Sequence, residues 1–256
     1  IGSTNGSHQG AGDGEFCYPW GVVVTADSAH VVVADLFNDR LQLLSLTVSE
    51  SDGGTNAAFE FITAFGNGQL RCPRGLALRN TGDDRQTVLV AESDGPRVSE
   101  WTLDGKKIRD IGKGTLDDIG TERCVYHPHD VTMLPVSGRI AIADAYKHRI
   151  SLFDGESGTF VLAFGSRGTE EDGQFFRPNA IAADAYDHLL VLDKTNRLQV
   201  FDADGTHLCT RTDLGINCTS RDIKGSGDQA LDWRGGGGGR LAIANGDGND
   251  ALVFSL

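Results

Sequence analysis

Apolar residues in this chain gather in short runs of strand length, separated by Gly, Asp and Asn, and no stretch sustains the 3.6-residue apolar period of a helix. One pattern recurs: an acidic residue closes an apolar run, an arginine follows four or five positions later, and a second apolar run begins at once. It appears in "VVVADLFNDRLQLLSL" (31–46), "VLVAESDGPRVSEWTLDG" (88–105), "IAIADAYKHRISLFDG" (140–155) and "LLVLDKTNRLQVFDADG" (189–205). A degenerate copy, "LAIANGDGNDALVFSL" (241–256), has Asn245 and Asp250 in those places. Ahead of the first four stands a proline module: "YPWGVVV" (18–24), "CPRGLAL" (72–78), "HPHDVTM" (127–133) and "RPNAIAA" (177–183). A third line, "FEFITAFGNG" (59–68), "KKIRDIGKG" (106–114), "TFVLAFGSRG" (159–168) and "THLCTRTD" (206–213), predicts further strands of about four to seven residues.

The prolines 19, 73, 128 and 178 lie 54, 55 and 50 residues apart. Units of about four strands at that period predict an all-β fold, a β-propeller of four-stranded blades. Five repeats are visible, near 16–68, 69–114, 124–168, 174–213 and 218–256, in one domain over 1–256. A six-bladed ring is the alternative if part is missing. The opening "IGSTNGSHQGAGDGEFCYP" aligns with "FGSRGTEEDGQFFRP" (164–178), so 1–15 is expected to carry the segment that closes the ring. "GGGGG" at 235–239 reads as a surface insertion.

The proline module, the "AD…R[LI]" line and the connection "AFGSRGTEEDGQFFRP" (163–178) resemble the NHL-repeat family of propellers over nearly the whole chain. The resemblance implies a recognition domain, often the C-terminal module of a larger protein such as a RING-type ubiquitin ligase. Some family members bind RNA.

The pairs Asp35/Arg40, Glu92/Arg97, Asp144/Arg149 and Asp193/Arg197 recur in each unit and are expected to be structural, each arginine forking onto a carboxylate or onto turn carbonyls. The residue after each proline varies instead. Trp20, Arg74, His129 and Asn179, with Arg221 or Asp222 as the fifth, are expected to line the channel mouth and form the partner-binding surface.

Net charge is −13, which disfavours DNA and anionic membranes as partners. RNA remains the alternative to a protein or peptide partner, with Lys147, His148, Lys194 and Arg211 as further contributors. Two enzymatic readings fail on ligand sets. A lyase-like propeller resembling the peptidyl-hydroxyglycine amidating lyase needs histidines after three such prolines, and only His129 is present. A lactonase-like calcium site needs a glutamate beside Asn179 and Asp222. A non-catalytic domain without metal or cofactor is therefore expected, monomeric within a larger protein. The odd cysteine count (Cys17, Cys72, Cys124, Cys209, Cys218) disfavours a disulfide framework, favours the cytoplasm and suggests small buried hydrophobes.

Overall fold

The computed structural model describes residues 10–51, 54–82, 85–114, 121, 123–212, 229–234, 240–245 and 250–255. The strands follow one another as antiparallel meanders. The first sheet joins β1 (Pro19–Val24), β2 (His30–Asp35), β3 (Arg40–Ser51) and β4 (Gly54–Phe65), in that order. The second joins β5 (Pro73–Thr81), β6 (Arg85–Glu92), β7 (Arg97–Thr102) and β8 (Lys107–Ile111). The third joins β9 (Pro128–Met133), β10 (Ile140–Asp144), β11 (Arg149–Phe153) and β12 (Phe160–Phe164). A parallel pair, β13 (Ser166–Arg167) and β14 (Gln174–Phe175), leads into the fourth sheet: β15 (Pro178–Ala183), β16 (Leu189–Asp193), β17 (Leu198–Phe201) and β18 (His207–Arg211). A fifth sheet orders β19 (Gln229–Arg234), β20 (Arg240–Asn245) and β21 (Asp250–Ser255), three strands among the described residues.

Each four-stranded sheet is a blade. The chain divides into two compact units, Ile1–Gly95 with Ser99–Arg109, and Pro96–Val98 with Asp110–Leu256.

Burial explains the sequence pattern. The second strand of a blade is covered on both faces, so it reads as an unbroken apolar run: β10 and β16 are buried at every residue. The outer strands β12 and β18 are only partly covered. In the first unit Val32, Ala34, Leu41, Phe65, Leu76, Val88, Val90 and Trp101 form one core between the faces of two blades. In the second, Ala141, Ala143, Ile150, Leu152, Phe175, Ile181, Val191 and Phe201 do the same.

One expectation needs correction. The strands β3 and β4 are 12 residues each, longer than the four to seven expected, and their ladder runs on to the Ser51↔Gly54 pair. The acidic stretch 47–51 is thus strand, not loop. Its Leu46↔Phe59 and Val48↔Ala57 pairs keep the ribbon zipped beyond the core, with Val48 and Phe59 exposed. The strand expected to close the ring falls on residues 1–9, which lie outside the described residues, and Gly10–Glu15 form a loop.

That loop is held by side chains of β3. Arg40 donates to the carbonyls of Ala11, Gly12 and Glu15, and Gln42 donates to Glu15 O at 2.6 Å while accepting from Gly14 N at 2.9 Å. The fourth blade repeats this arrangement. Arg197 donates to Glu171 O and Gln174 O, and Gln199 donates to Gln174 O while accepting from Gly173 N. The alignment of the N-terminus with the 164–178 connection therefore describes one loop built twice. Arg149 of the third blade reaches Cys124 O, and the glutamine position becomes Ser151, whose buried hydroxyl has no partner among the described residues.

The second blade carries a ladder of its own. Glu100 on β7 is buried and accepts from Thr87 Oγ1 (2.6 Å), Arg109 Nε (2.6 Å) and Arg79 Nη1 (3.1 Å), one group from each other strand. Burial raises its carboxyl, but these bonds and charges outweigh it and hold it below the usual range.

Asp35 is buried and accepts from Cys17 N, Arg40 Nε, Asn38 Nδ2 and Gln42 Nε2. Asp35→Ala leaves a buried guanidinium unpaired and is expected to cost about 3–5 kcal/mol in urea denaturation. Ser151→Ala removes an unsatisfied hydroxyl and is expected to be neutral or to stabilise by up to about 1 kcal/mol. A large loss from the serine variant, or none from the aspartate one, would refute this accounting.

Candidate functional site

The proline module is assembled the same way in four blades. Each proline pairs with the acid that ends the second strand: Pro19↔Asp35, Pro73↔Glu92, Pro128↔Asp144 and Pro178↔Asp193. The acid's carboxylate accepts the backbone N–H two residues before that proline, at Cys17 (2.7 Å), Arg71 (3.0 Å), Tyr126 (2.7 Å) and Phe176 (3.0 Å). The intervening residue is left-handed in every case: Tyr18 (φ 54°), Cys72 (46°), His127 (51°) and Arg177 (55°). A non-glycine residue there is strained, at a cost on the order of 1–3 kcal/mol that the surrounding bonds must hold down. Its own N–H is taken up by the preceding blade within each unit. Cys72 N donates to Asp39 Oδ1 at 2.6 Å, and Arg177 N to His148 Nδ1 at 3.2 Å. Asp39 and His148 are themselves left-handed, just ahead of Arg40 and Arg149.

The recurring arginines differ in their partners. Arg40 pairs with Asp35 at 2.8 Å and Arg149 with Asp144 at 3.2 Å. Arg97 pairs with Asp110 at 3.5 Å, an acid the spacing from Glu92 does not identify. Arg197 spends its guanidinium on the carbonyls of Glu171 and Gln174, and Asp193 instead takes the Thr195 hydroxyl.

The residue after the proline sits in a β-bulge, since one extra residue on the first strand follows each proline. The bulge gathers these side chains in pairs. In the first unit the Arg74 guanidinium lies 4.1 Å over the Trp20 ring, and both are half-buried. In the second, His129 Nδ1 and Asn179 Oδ1 are 2.8 Å apart, and the residues are 4% and 2% exposed. His129 and Asn179 are therefore interior groups, not the contact surface expected of them. Arg221, Asp222 and Cys218 lie outside the described residues. His127 precedes β9 in its left-handed turn. Lys147, a candidate for RNA contact, donates its ammonium to Thr121 O and Cys124 O.

Other variable groups that reach the surface stand two positions earlier, before each proline. In three of the blades the left-handed residue before the proline stands beside the second residue after the paired acid. Tyr18 (45% exposed) meets Phe37 (59%) edge-on at 4.8 Å, and His127 meets Tyr146 (42%) at 4.3 Å. The Cys72 thiol donates to Asp94 Oδ2 at 3.2 Å. Arg177 reaches across to the third blade, 4.5 Å over the Tyr146 ring. The signal was present in the sequence: Tyr18, Cys72, His127 and Arg177 vary as freely as the residues after the proline.

Among the described residues three groups have a raised pKa. Burial pushes the Cys72 thiol up to about 12, helped by its bond to Asp94 and the charges of Asp94 and Asp39. Of the described cysteines only Cys124 is buried, and Cys17, Cys72 and Cys209 are half-buried. Asp130 on β9 accepts from Ile181 N of β15 and from Val131 N, both at 2.9 Å. The residue keeps some exposed surface but its carboxyl is enclosed, and burial pushes it up to about 7. Burial likewise raises Asp144 to about 6 against the pull of Tyr126 N, Arg149 and Lys147. Among the described residues no three His, Cys, Asp or Glu converge as a metal site.

Two predictions follow from these shifts. At pH 8 Cys72 is expected to alkylate with iodoacetamide about tenfold or more slowly than an ordinary exposed thiol, and Asp94→Asn to speed it. Peptide mapping of the alkylated protein reads this, and equal rates in parent and variant count against it. For Asp130 the folded pKa lies above the unfolded value. Its contribution is therefore fully present below about pH 4 and lost as pH rises through about 7, with Asp144 acting in the same sense. Thermal melts should fall from pH 5 to pH 8, and Asp130→Asn should flatten that slope whatever it does to absolute stability. An unchanged slope sinks the assignment.

No family model matches the chain. No curated protein sequence matches it either. Among solved structures it is similar to a chain in the crystal structure of a nidogen/laminin complex, with a TM-score of 0.54 and 18% identity over 76% of this chain and 64% of that one. The match thus spans less than two thirds of that chain. At this identity the likeness speaks for fold alone, and with the four-stranded meanders it identifies the architecture as a β-propeller.

Proposed function

We propose that this chain is a non-catalytic recognition propeller of NHL-like repeats that binds a protein or peptide at the blade ends carrying the proline modules. The observation that carries the reading is the contrast within each module. Acid, proline and left-handed turn are constant, while the partly exposed pairs they present differ: Tyr18 with Phe37, Cys72 with Asp94, His127 with Tyr146. Exposed aromatics on a rigid backbone are the kind of anchor that protein interfaces use. Trp20, Arg74, His129 and Asn179 then act from behind, fixing the bulges on which those pairs stand. The similar solved structure is titled as a complex of two proteins, which agrees with this reading. A place within a larger cytoplasmic protein, such as the substrate-recognition part of a ubiquitin ligase, belongs to the same proposal. The thiols Cys17, Cys72, Cys124 and Cys209 suit a reducing compartment. No helix among the described residues is long and apolar enough to cross a membrane.

Panning a displayed random-peptide library against the purified protein tests the proposal, beside a labelled RNA pool at two salt concentrations. Enriched peptides are expected to lose about tenfold in affinity with Phe37→Ser or Tyr146→Ser, the scale of one lost aromatic anchor. RNA binding that weakens steeply with salt, with no peptide enriched, would replace this reading by the nucleic-acid one.

A further inference from the structure

Arginines in this acidic chain are mostly spoken for. Arg40, Arg79, Arg97, Arg109, Arg139 and Arg149 each have a carboxylate within ion-pair distance, and Arg197 donates to two carbonyls. Arg167 and Arg177 differ from these, as Arg71 and Arg123 do, but are the two that lie together near His148. Among the described residues neither guanidinium has a carboxylate or other acceptor from the chain, although net charge is −13. Local charge around them is positive. Both lie close enough to His148 to disfavour its charged form, alongside burial, which is the larger cause.

Their placement is fixed by backbone. Arg167 is on β13, opposite Phe175 of β14, and Arg177 follows two residues after Phe175. The left-handed turn at Arg177, its N–H bond to His148 Nδ1 and its stack on Tyr146 hold it in place. Tyr146 in turn is flanked by His127 on one side and Arg177 on another, and is itself exposed. A fork of five N–H donors resting on an aromatic ring, with no acceptor of its own, is suited to bidentate capture of a carboxylate.

We infer that Arg177, stacked on the Tyr146 ring, with Arg167 on the β13 strand opposite Phe175, forms a docking site for an acidic peptide segment: one or two Asp or Glu carboxylates on the guanidinium groups, with an adjoining apolar or aromatic side chain against Tyr146. This rests on the recognition reading above and adds the partner's chemistry. Charge complementarity chooses the occupant. A long polyphosphate is disfavoured because the connection from β13 to β14 carries Glu170, Glu171 and Asp172, so the positive patch is short and bordered by acids on its own loop. A carboxylate or two fit a field of that extent.

The test uses the purified protein and three fluorescent dodecapeptide pools of matched length and aromatic content. Asp/Glu, Asn/Gln or Lys occupies the same three fixed positions, and a labelled RNA pool runs in parallel. Fluorescence polarisation is expected to show the acidic pool binding at least tenfold tighter than the amide pool at about 0.1 M salt. Arg177→Glu and Arg167→Glu should each remove that preference, and Arg177→Lys should weaken it while keeping its sign. A reversal at the opposite end of β10 from Tyr146, Arg139→Glu, should leave it intact, with thermal midpoints confirming that each variant folds. Equal binding of the acidic and amide pools, or a preference indifferent to Arg177→Glu, overturns the inference. If the amide pool still binds and depends on Phe37, the recognition reading survives that failure. RNA binding tighter than the acidic pool overturns both, as does no peptide binding up to about 1 mM.

Discussion

The structure depends on a buried carboxylate meeting a backbone N–H two residues before a proline. Proline supplies no N–H of its own, and the left-handed residue ahead of it turns its amide away from the sheet. The chain entering each blade would leave two donors stranded at a covered edge. The acid at the end of the second strand takes the first, as Asp35 does for Cys17 and Asp144 for Tyr126. The side chain just before the preceding blade's arginine takes the second within each unit, as Asp39 does for Cys72 and His148 for Arg177. Once both are satisfied the left-handed turn is affordable. The register Pro19↔Asp35 and its three counterparts follow, and so do the bulges beside them.

Around that constant the blades substitute freely. Where a glycine loop precedes the module, an arginine and a glutamine on the third strand clasp it, in the first and fourth blades alike. Where the loop differs, the glutamine gives way to Ser99 or Ser151. Ser99 finds Trp101 Nε1 at 2.8 Å, while Ser151 finds no partner among the described residues. The second blade replaces its local clasp with an ion-pair ladder, Arg79–Glu100–Arg109, spread over its strands. The arginine of the repeat is thus less a salt bridge than a fork that takes whichever acceptor the neighbouring loop presents.

Much of this was legible in the sequence. Short apolar runs at the proline spacing yield the four-stranded units, and the alignment of the N-terminus with the 164–178 connection describes a loop that the structure does build twice. That His129 and Asn179 lie inward was not legible, because spacing cannot show a bulge. Trp20, Arg74, His129 and Asn179 vary, and variation alone suggests a surface. The extra residue after each proline turns His129 and Asn179 inward. Nor does composition reveal a left-handed turn made without glycine. Tyr18 and His127 read as ordinary flanking residues until their φ angles are known. The Glu100 ladder escaped for a different reason: its arginines are distant in sequence and meet it only across strands.

The left-handed position is well suited to carry specificity. Its backbone is set by hydrogen bonds from neighbouring segments, so the side chain bears no share of the hold and can change without loosening the blade. What it cannot be is β-branched, since a branched Cβ collides with the backbone at positive φ. The four occupants, Tyr18, Cys72, His127 and Arg177, obey that limit while spanning an aromatic, a thiol, an imidazole and a guanidinium. A fixed backbone also lowers the entropy lost when such a side chain is immobilised by a partner. Constancy of the acid and proline and diversity of the residue between them are therefore two consequences of one arrangement: the strain that makes the turn costly to build is what leaves its side chain free to vary.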